Sequence, residues 1–293
     1  MFDIADYQEA HSVSEALAML AADDKAKVIA GGTDVLIALR RGDLSQARLV
    51  SIRHIEQLRD ITVTPAGEIV IGAGVTFSQL MSHSLITSHI PVLAEAASEV
   101  GGPQIRRVAT LGGNICNGST SADGAPPLFA LDAMLQIESL RGTRMVPITE
   151  FYRSSGKVNL RQGELVTAIT IAKEYYQDLG AHYIKYAMRK AMDIATVSCA
   201  AACKIGAGGE LRDVRLAFGV AAPIPVRCLK AEALATGKVF SPELAADFAE
   251  TVLTEISPRS SWRATKEFRL HLARQMSADA LTQAYVKAGG KLP

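Results

Sequence analysis

The hydrophobic positions change period several times along the 293 residues. In "VSEALAMLAA", Val13, Ala16, Leu17 and Leu20 fall on one helical face, and the following "AKVIA" predicts a short buried strand that runs into "GGTD". "DVLIALRRG" predicts a helix closed by Gly42, and "ARLVSI" a second strand. A strand, a crossover helix and a strand make a parallel pair, with the glycines in its first turn. "DITVTPAGEIVIGAGVT" is different in kind: two β-rich runs meeting at "PAG" predict an antiparallel hairpin. Helices are predicted over "TFSQLMSHS" and over "PVLAEAASEVG", the latter opening at Pro91 in the favoured first-turn position.

Further along, "DGAPPLFALDA" predicts the start of a helix, "MLQIESLRGTRMVPI" a hairpin turning at "RGT", and "ELVTAITIA" an alternating strand. From about His182 the texture changes to three strands, "HYIKYAMRK", "DIATVSCAAACKIG" and "LRDVRLAFGV", the last two joined by the glycine-rich turn "AGGE". Beyond Gly237 the pattern is helical, with Leu244, Phe248 and Val252 four apart and then Phe268, Leu272 and Met276 four apart. A boundary is placed where "KEYYQDLG" turns polar and ends in glycine. The predicted organisation is residues 1–176, with parts at about 1–55 and 56–176, followed by 177–293.

Charge narrows the partners. The 31 basic and 30 acidic side chains leave a net charge of +1, so no global field recruits nucleic acid or a membrane surface. "MFDIADYQEAHS" has no basic region ahead of an apolar run, and no segment has the length and apolarity of a membrane span, which makes the cytoplasm the expected location. Cys116, Cys199, Cys203 and Cys228 lack the spacing of a zinc or iron–sulfur site and read as reduced thiols, so no metal is expected in this chain.

Three glycine segments compete to hold a nucleotide. "IVIGAGVTFSQL" contains GxG after a strand, but a third glycine would fall at Phe77, so it reads as a turn ending a hairpin; no P-loop motif occurs. In "AGGTDVLI", Gly31 and Gly32 can point consecutive amides inward, and Thr33 and Asp34 can cap the helix that follows. A plain tight turn with a capped helix is the alternative. "TLGGN", Thr110 to Asn114, repeats the chemistry, and two lysine-free glycine bends could grip one diphosphate from opposite sides. Asn117 and Asp123 could meet the hydroxyls of a ribityl or ribose chain; Asp123 could instead cap the helix after it.

The ordered set "VIAGGTDVLI", "IRRVATLGGNICNGSTSADGAPPL", "RGTRMVPITEFY", "GELVTAI", "YIKYAMRKAMDIATVSCA" and "RSSWRATKEFRLHLA" resembles, over nearly the whole chain, the medium, FAD-binding subunits of the molybdenum hydroxylases, specifically those of the bacterial xanthine dehydrogenase type. The resemblance implies an α+β chain. It would have the FAD-binding fold shared with vanillyl-alcohol oxidase and p-cresol methylhydroxylase, then a carboxy-terminal domain of antiparallel strands and helices like that of carbon monoxide dehydrogenase flavoproteins. It also implies noncovalent FAD. Ala30, Gly31, Gly32, Thr33 and Asp34 would form the first pyrophosphate loop, flanked by Val28, Ile29 and Val35. Thr110, Gly113, Asn114 and Asn117 would form the second contact, with Asp123 on the ribityl chain and Ile115 and Cys116 beside the isoalloxazine. Leu165 or Val166 would pack near the flavin, and Lys185 would lie near FAD.

By the same resemblance, a large subunit with molybdopterin does the hydroxylation, a small subunit with [2Fe–2S] clusters passes electrons to this chain, and NAD⁺ is the acceptor; no catalytic side chain is named. Animal relatives carry an aromatic residue where this chain has Val100, and the cysteine-bearing [4Fe–4S] insertion of some bacterial relatives is missing. All six histidines lie outside the glycine motifs, against a covalent flavin tether. Two rival readings are a stand-alone flavin oxidase of the same fold and a noncatalytic nucleotide-binding scaffold.

Overall fold

The computed structural model describes residues 3–292. The chain begins with β1 (Ile4–Glu9), α1 (Val13–Ala22), β2 (Ala26–Ile29), α2 (Val35–Arg41) and β3 (Ala47–Ser51), whose strands are parallel in the order β1-β3-β2. Ser12 starts α1 by accepting the Glu15 N–H at 3.1 Å, a cap worth about 1 kcal/mol. Ala16, Leu17 and Leu20 of α1 pack with Val50, Ile52 and Ile55 into a small core, as the periodicity predicts. α2 stops at Gly42, whose φ of 81° puts it in the left-handed region. β1 was not predicted: all six of its residues are exposed, so it shows no inward face, and its pairing with β3 holds it in place.

A hairpin of β4 (Ile61–Val63) and β5 (Ile69–Gly72) leads into α3 (Phe77–Ser82), which a reciprocal Thr76–Gln79 cap starts. α4 (Ser84–His89), α5 (Pro91–Ser98), α6 (Pro103–Arg106), α7 (Leu111–Cys116) and α8 (Ala125–Ala130) follow. Next come β6 (Met134–Ser139), β7 (Gly142–Pro147), the short hairpin β8 (Tyr152–Ser154) with β9 (Lys157–Val158), and β10 (Leu165–Ile171). The sheet order is β4-β5-β10-β6-β7 with every pairing antiparallel. The glycines after β5 therefore lie at the end of a hairpin strand, not in a parallel crossover. β10 is the middle strand and is buried on both faces. The β6–β7 turn is Leu140–Arg141, closed by Ser139 opposite Gly142, one residue earlier than predicted.

The remainder is a four-stranded antiparallel sheet of β11 (Gly180–Tyr186), β12 (Val197–Ile205), β13 (Leu211–Gly219) and β14 (Val226–Arg227), with α9 (Leu229–Ala235), α10 (Pro242–Val252) and α11 (Lys266–Lys287). β12 explains "CAAAC". Ala200 and Ala202 face the core that includes Leu128 and Phe129 of α8, while Cys199, Ala201 and Cys203 face α10 and α11, so one small-residue strand joins the two cores. Leu272 and Met276 of α11 are buried as predicted. Phe268 is not: it is 40% exposed and sits edge-on to Tyr186 at 5.7 Å.

Residues 187–190 and 193–196, predicted as the facing ends of two strands, form one loop with Ala191 and Met192 instead. Asp193 accepts amide protons from Arg189 and Ile194, Met192 has φ 54°, and the Met192 N–H donates to the Gly101 carbonyl at 3.0 Å. A side chain that takes neighbouring amides competes with strand pairing.

Candidate functional site

Gly31 abuts the main chain just ahead of α7. A Cβ there would lie 1.9 Å from the Val108 carbonyl oxygen, so no other residue lets these two segments meet. At Gly112 a Cβ would lie 2.6 Å from the Ala73 oxygen, which seats α7 directly on the end of β5. These contacts bring Gly31 and Gly113, remote in sequence, onto the wall of one cavity of about 710 Å³, a size suited to a small-molecule or cofactor site.

The two glycine segments contribute differently. Among the described residues, no acceptor takes the amide protons of Gly31, Gly32, Thr33 or Asp34, so a run of main-chain donors faces the cavity. The second segment was expected to offer donors of the same kind, and here the structure corrects the sequence. The Leu111, Gly112 and Gly113 amides donate to Val75 O (2.9 Å), Ala73 O (2.9 Å) and Thr110 Oγ1 (3.1 Å), because "TLGGN" is the capped first turn of α7 and not a free bend. What it brings to the cavity is the Asn114 and Asn117 amides and the exposed Gly113, where a Cβ would meet Thr110 Oγ1 at 2.9 Å. Asn114 Oδ1 also accepts the Gly124 N–H at 3.1 Å, which fixes the end of the following loop. Asp34 makes no side-chain cap on α2, unlike the expectation, and burial pushes its carboxyl above the ordinary aspartate range.

Asp123 is not a helix cap either; Gly124 holds that position in α8. The Asp123 carboxylate lines the cavity and is only 6% exposed. It accepts Tyr183 Oη–H at 2.7 Å and Lys185 Nζ–H at 2.9 Å. Burial pushes this carboxyl above the ordinary aspartate range, and Lys185 and Tyr183 offset only part of that rise. Burial and the facing Asp123 charge push the Tyr183 phenol well above its ordinary range, so it stays a donor.

Of the predicted residues, Val28, Ala30, Gly31, Gly32, Thr33, Asp34, Val35, Thr110, Gly113, Asn114, Cys116, Asn117, Asp123, Leu165 and Val166 line this one cavity. Ile29 does not; it packs beneath the loop with Leu39, Ala47 and Leu49. Ile115 is fully buried in the larger core and faces away from the cavity that Cys116 lines. Burial pushes the Cys116 thiol up to about 12, which favours its neutral form. Lys185 is set behind the wall, tied to Asp123 and to the Glu99 carbonyl at 2.8 Å. Val100 also lines the cavity.

Lining residues that sequence reasoning missed include Lys27, Phe77, Ile105, Met192, Asp193 and Ile194. Lys27 left no signal, since strand alternation assigns it to the face opposite Val28. The loop residues were hidden by the strand reading. The fit to a dinucleotide rests on the unpaired amide run, the close glycine approach and the buried, doubly hydrogen-bonded carboxylate.

Comparison with known proteins agrees with this geometry. The family described as "FAD binding domain in molybdopterin dehydrogenase" matches residues 2–173, and "CO dehydrogenase flavoprotein C-terminal domain" matches residues 182–284. The chain is 46% identical to the xanthine dehydrogenase FAD-binding subunit of Escherichia coli O157:H7, over 100% of both chains. It is 29% identical to the carbon monoxide dehydrogenase medium chain of Hydrogenophaga pseudoflava, covering 96% of this chain and 97% of that one. Among solved structures, the carbon monoxide dehydrogenase of H. pseudoflava that lacks the Mo-pyranopterin moiety superposes with a TM-score of 0.93 at 28% identity, covering 98% and 99% of the two chains. Quinoline 2-oxidoreductase from Pseudomonas putida 86 superposes with a TM-score of 0.92 at 27% identity, with the same coverage. The chain belongs to the FAD-binding medium subunits of the molybdenum hydroxylase family.

Proposed function

We propose that this chain is the flavin subunit of a xanthine dehydrogenase-type complex, that it takes electrons from [2Fe–2S] clusters on a small partner subunit, and that NAD⁺ is the acceptor. A large molybdopterin subunit carries out hydroxylation, and the complex works in the cytoplasm. In this reading residues 1–176 hold most of the FAD contacts and residues 177–293 support them from the far side. The full-length likeness to a xanthine dehydrogenase FAD-binding subunit supports the class of complex. No helix of the described residues is long and apolar enough to cross a membrane.

The observation that carries the reading is the pairing, across one cavity, of four amides at Gly31–Asp34 that have no acceptor among the described residues with a buried Asp123 carboxylate. The amides would bind the diphosphate through charge-assisted hydrogen bonds. Asp123, held by Tyr183 and Lys185, would accept from polyol hydroxyls, and its two protein donors fix its orientation before any ligand arrives. Leu165, Val166, Val100 and Ile105 supply the apolar wall that keeps water from a ring system. When bound, the flavin supplies the redox chemistry that links one-electron donors to a two-electron acceptor; the protein supplies orientation and electrostatics. Apart from Lys185, behind the wall, the chain's contribution is contact by Val28, Ala30 to Val35, Thr110, Gly113, Asn114, Cys116, Asn117 and Asp123.

The test is co-purification with the partner subunits. Flavin absorption bands, iron and molybdopterin in the purified complex, and NAD⁺-dependent oxidation of xanthine are the expected results. A colourless complex overturns the flavin assignment, and a yellow complex that ignores NAD⁺ overturns the acceptor.

A further inference from the structure

A second cavity, of about 400 Å³, lies against the first and shares Ser121 and Ile194 with it as a common wall. Arg259, Arg263 and Arg269 line it, and among the described residues no carboxylate does. Arg269 is 3% exposed; its Nη1 donates to the Thr196 carbonyl and its Nη2 to Ser261 Oγ at 2.8 Å, while its Nε is buried with no acceptor. The Arg263 Nε is buried without an acceptor as well, and the Arg263 guanidinium lies 4.2 Å over the Trp262 ring. Burial and the charges of Arg259 and Arg263 push Arg269 below the usual arginine range, and no carboxylate opposes them. Hydroxyls of Ser119, Thr120 and Ser155 complete the lining.

Buried guanidinium donors without acceptors are costly, and so are like charges held together in a cavity. An anion with several oxygens relieves both at once, and the planar arginine fork matches a phosphate better than a spherical ion. Trp262, the chain's one tryptophan, is 85% exposed at the same cavity and presents a flat face. We propose that this cavity is a site for the diphosphate of a nucleotide, with Arg263 and Arg269 as its donors, Arg259 at its mouth and Trp262 against the base. Resting on the reading above, that nucleotide is the electron acceptor, since the shared Ser121–Ile194 wall puts its site next to the flavin cavity.

Trp262 makes the site directly observable in the isolated full chain. At constant ionic strength, inorganic pyrophosphate and ADP should each change the Trp262 fluorescence saturably, ADP with the higher affinity, and adenosine and chloride should not. Arg263→Gln and Arg259→Ala should each weaken pyrophosphate binding, Arg263→Gln by about tenfold, with unchanged flavin content. Arg259 is exposed, so its variant keeps the test independent of folding. The site is refuted by an unsaturable response or by variants that bind pyrophosphate as wild type does. ADP that binds no tighter than pyrophosphate overturns the nucleotide assignment. Flavin absorbance reports on the neighbouring cavity separately: a colourless chain whose Trp262 responds keeps this site and loses the flavin reading, and a yellow chain that does not respond does the reverse.

Discussion

Lys185 Nζ lies 2.9 Å from Asp123 Oδ2, with the two side chains 4% and 9% exposed. A strand of the carboxy-terminal sheet thus clamps a carboxylate on the wall of the cavity. Removing one partner of a buried pair leaves an uncompensated charge and costs about 3–5 kcal/mol. Lys185→Met should lower the melting temperature and release flavin. The double variant Lys185→Met/Asp123→Leu should regain stability but not flavin, as thermal denaturation with absorbance at flavin wavelengths will show. Equal stability of single and double variants would contradict the pair.

Tyr183 donates the second hydrogen bond to the same carboxylate, at 2.7 Å. Hydrogen bonds to charged groups are worth about 1.5–3 kcal/mol, so Tyr183→Phe should weaken flavin binding by roughly tenfold or more. Flavin titration of the apo-chain measures this. An unchanged affinity would show that Lys185 alone orients Asp123.

The two glycine segments should respond differently to added bulk. Gly31→Ala drives a Cβ into the Val108 carbonyl, where only backbone can give way, and overpacking of this kind costs about 1–3 kcal/mol. It should lower both stability and flavin content. Gly113 is exposed to the cavity and a Cβ there meets a side chain, Thr110 Oγ1 at 2.9 Å, and not backbone, so Gly113→Leu should fill ligand space and leave a folded, flavin-poor chain. Circular dichroism melts and flavin-to-protein ratios separate the two outcomes; a yellow Gly113→Leu chain would remove Gly113 from the site.

Glu95 of α5 joins His182 of β11 (2.9 Å) and Lys287 of α11. Burial raises its carboxyl, but hydrogen bonds from His182, Lys287 and the Tyr183 N–H outweigh this and lower it. A carboxyl lowered by folding stabilises the protein above the ordinary glutamate range, about 4.3, and loses that contribution as pH falls through its lowered value. Wild type should therefore lose stability on acidification below that range, and Glu95→Gln should flatten that limb of a melting-temperature profile between pH 6 and 3. A Glu95→Gln profile parallel to wild type would place the acid sensitivity elsewhere; Glu164, lowered by Arg144 despite its burial, is the next carboxylate to test.

Much of the fold and of the site was legible in the residues themselves. The α1 stripe, the β2–α2–β3 crossover, the three antiparallel hairpins and the α10 face follow from periodicity and turn chemistry, because each depends on neighbours within a few residues. The glycine pairs at Gly31 and Gly113 and the carboxylate at Asp123 were visible for the same reason: close approach and short polar groups leave a local signature. Only the tertiary structure decided that the "TLGGN" amides are spent on Val75, Ala73 and Thr110, and that β1 exists although none of its side chains is buried. It likewise decided that Asp123 answers to Lys185, 62 residues away, and that three arginines and Trp262 close a second cavity. Periodicity reports which face of an element is covered, and by itself cannot say what covers it. Hydrogen-bond partners and charge neighbours are set when distant segments pack.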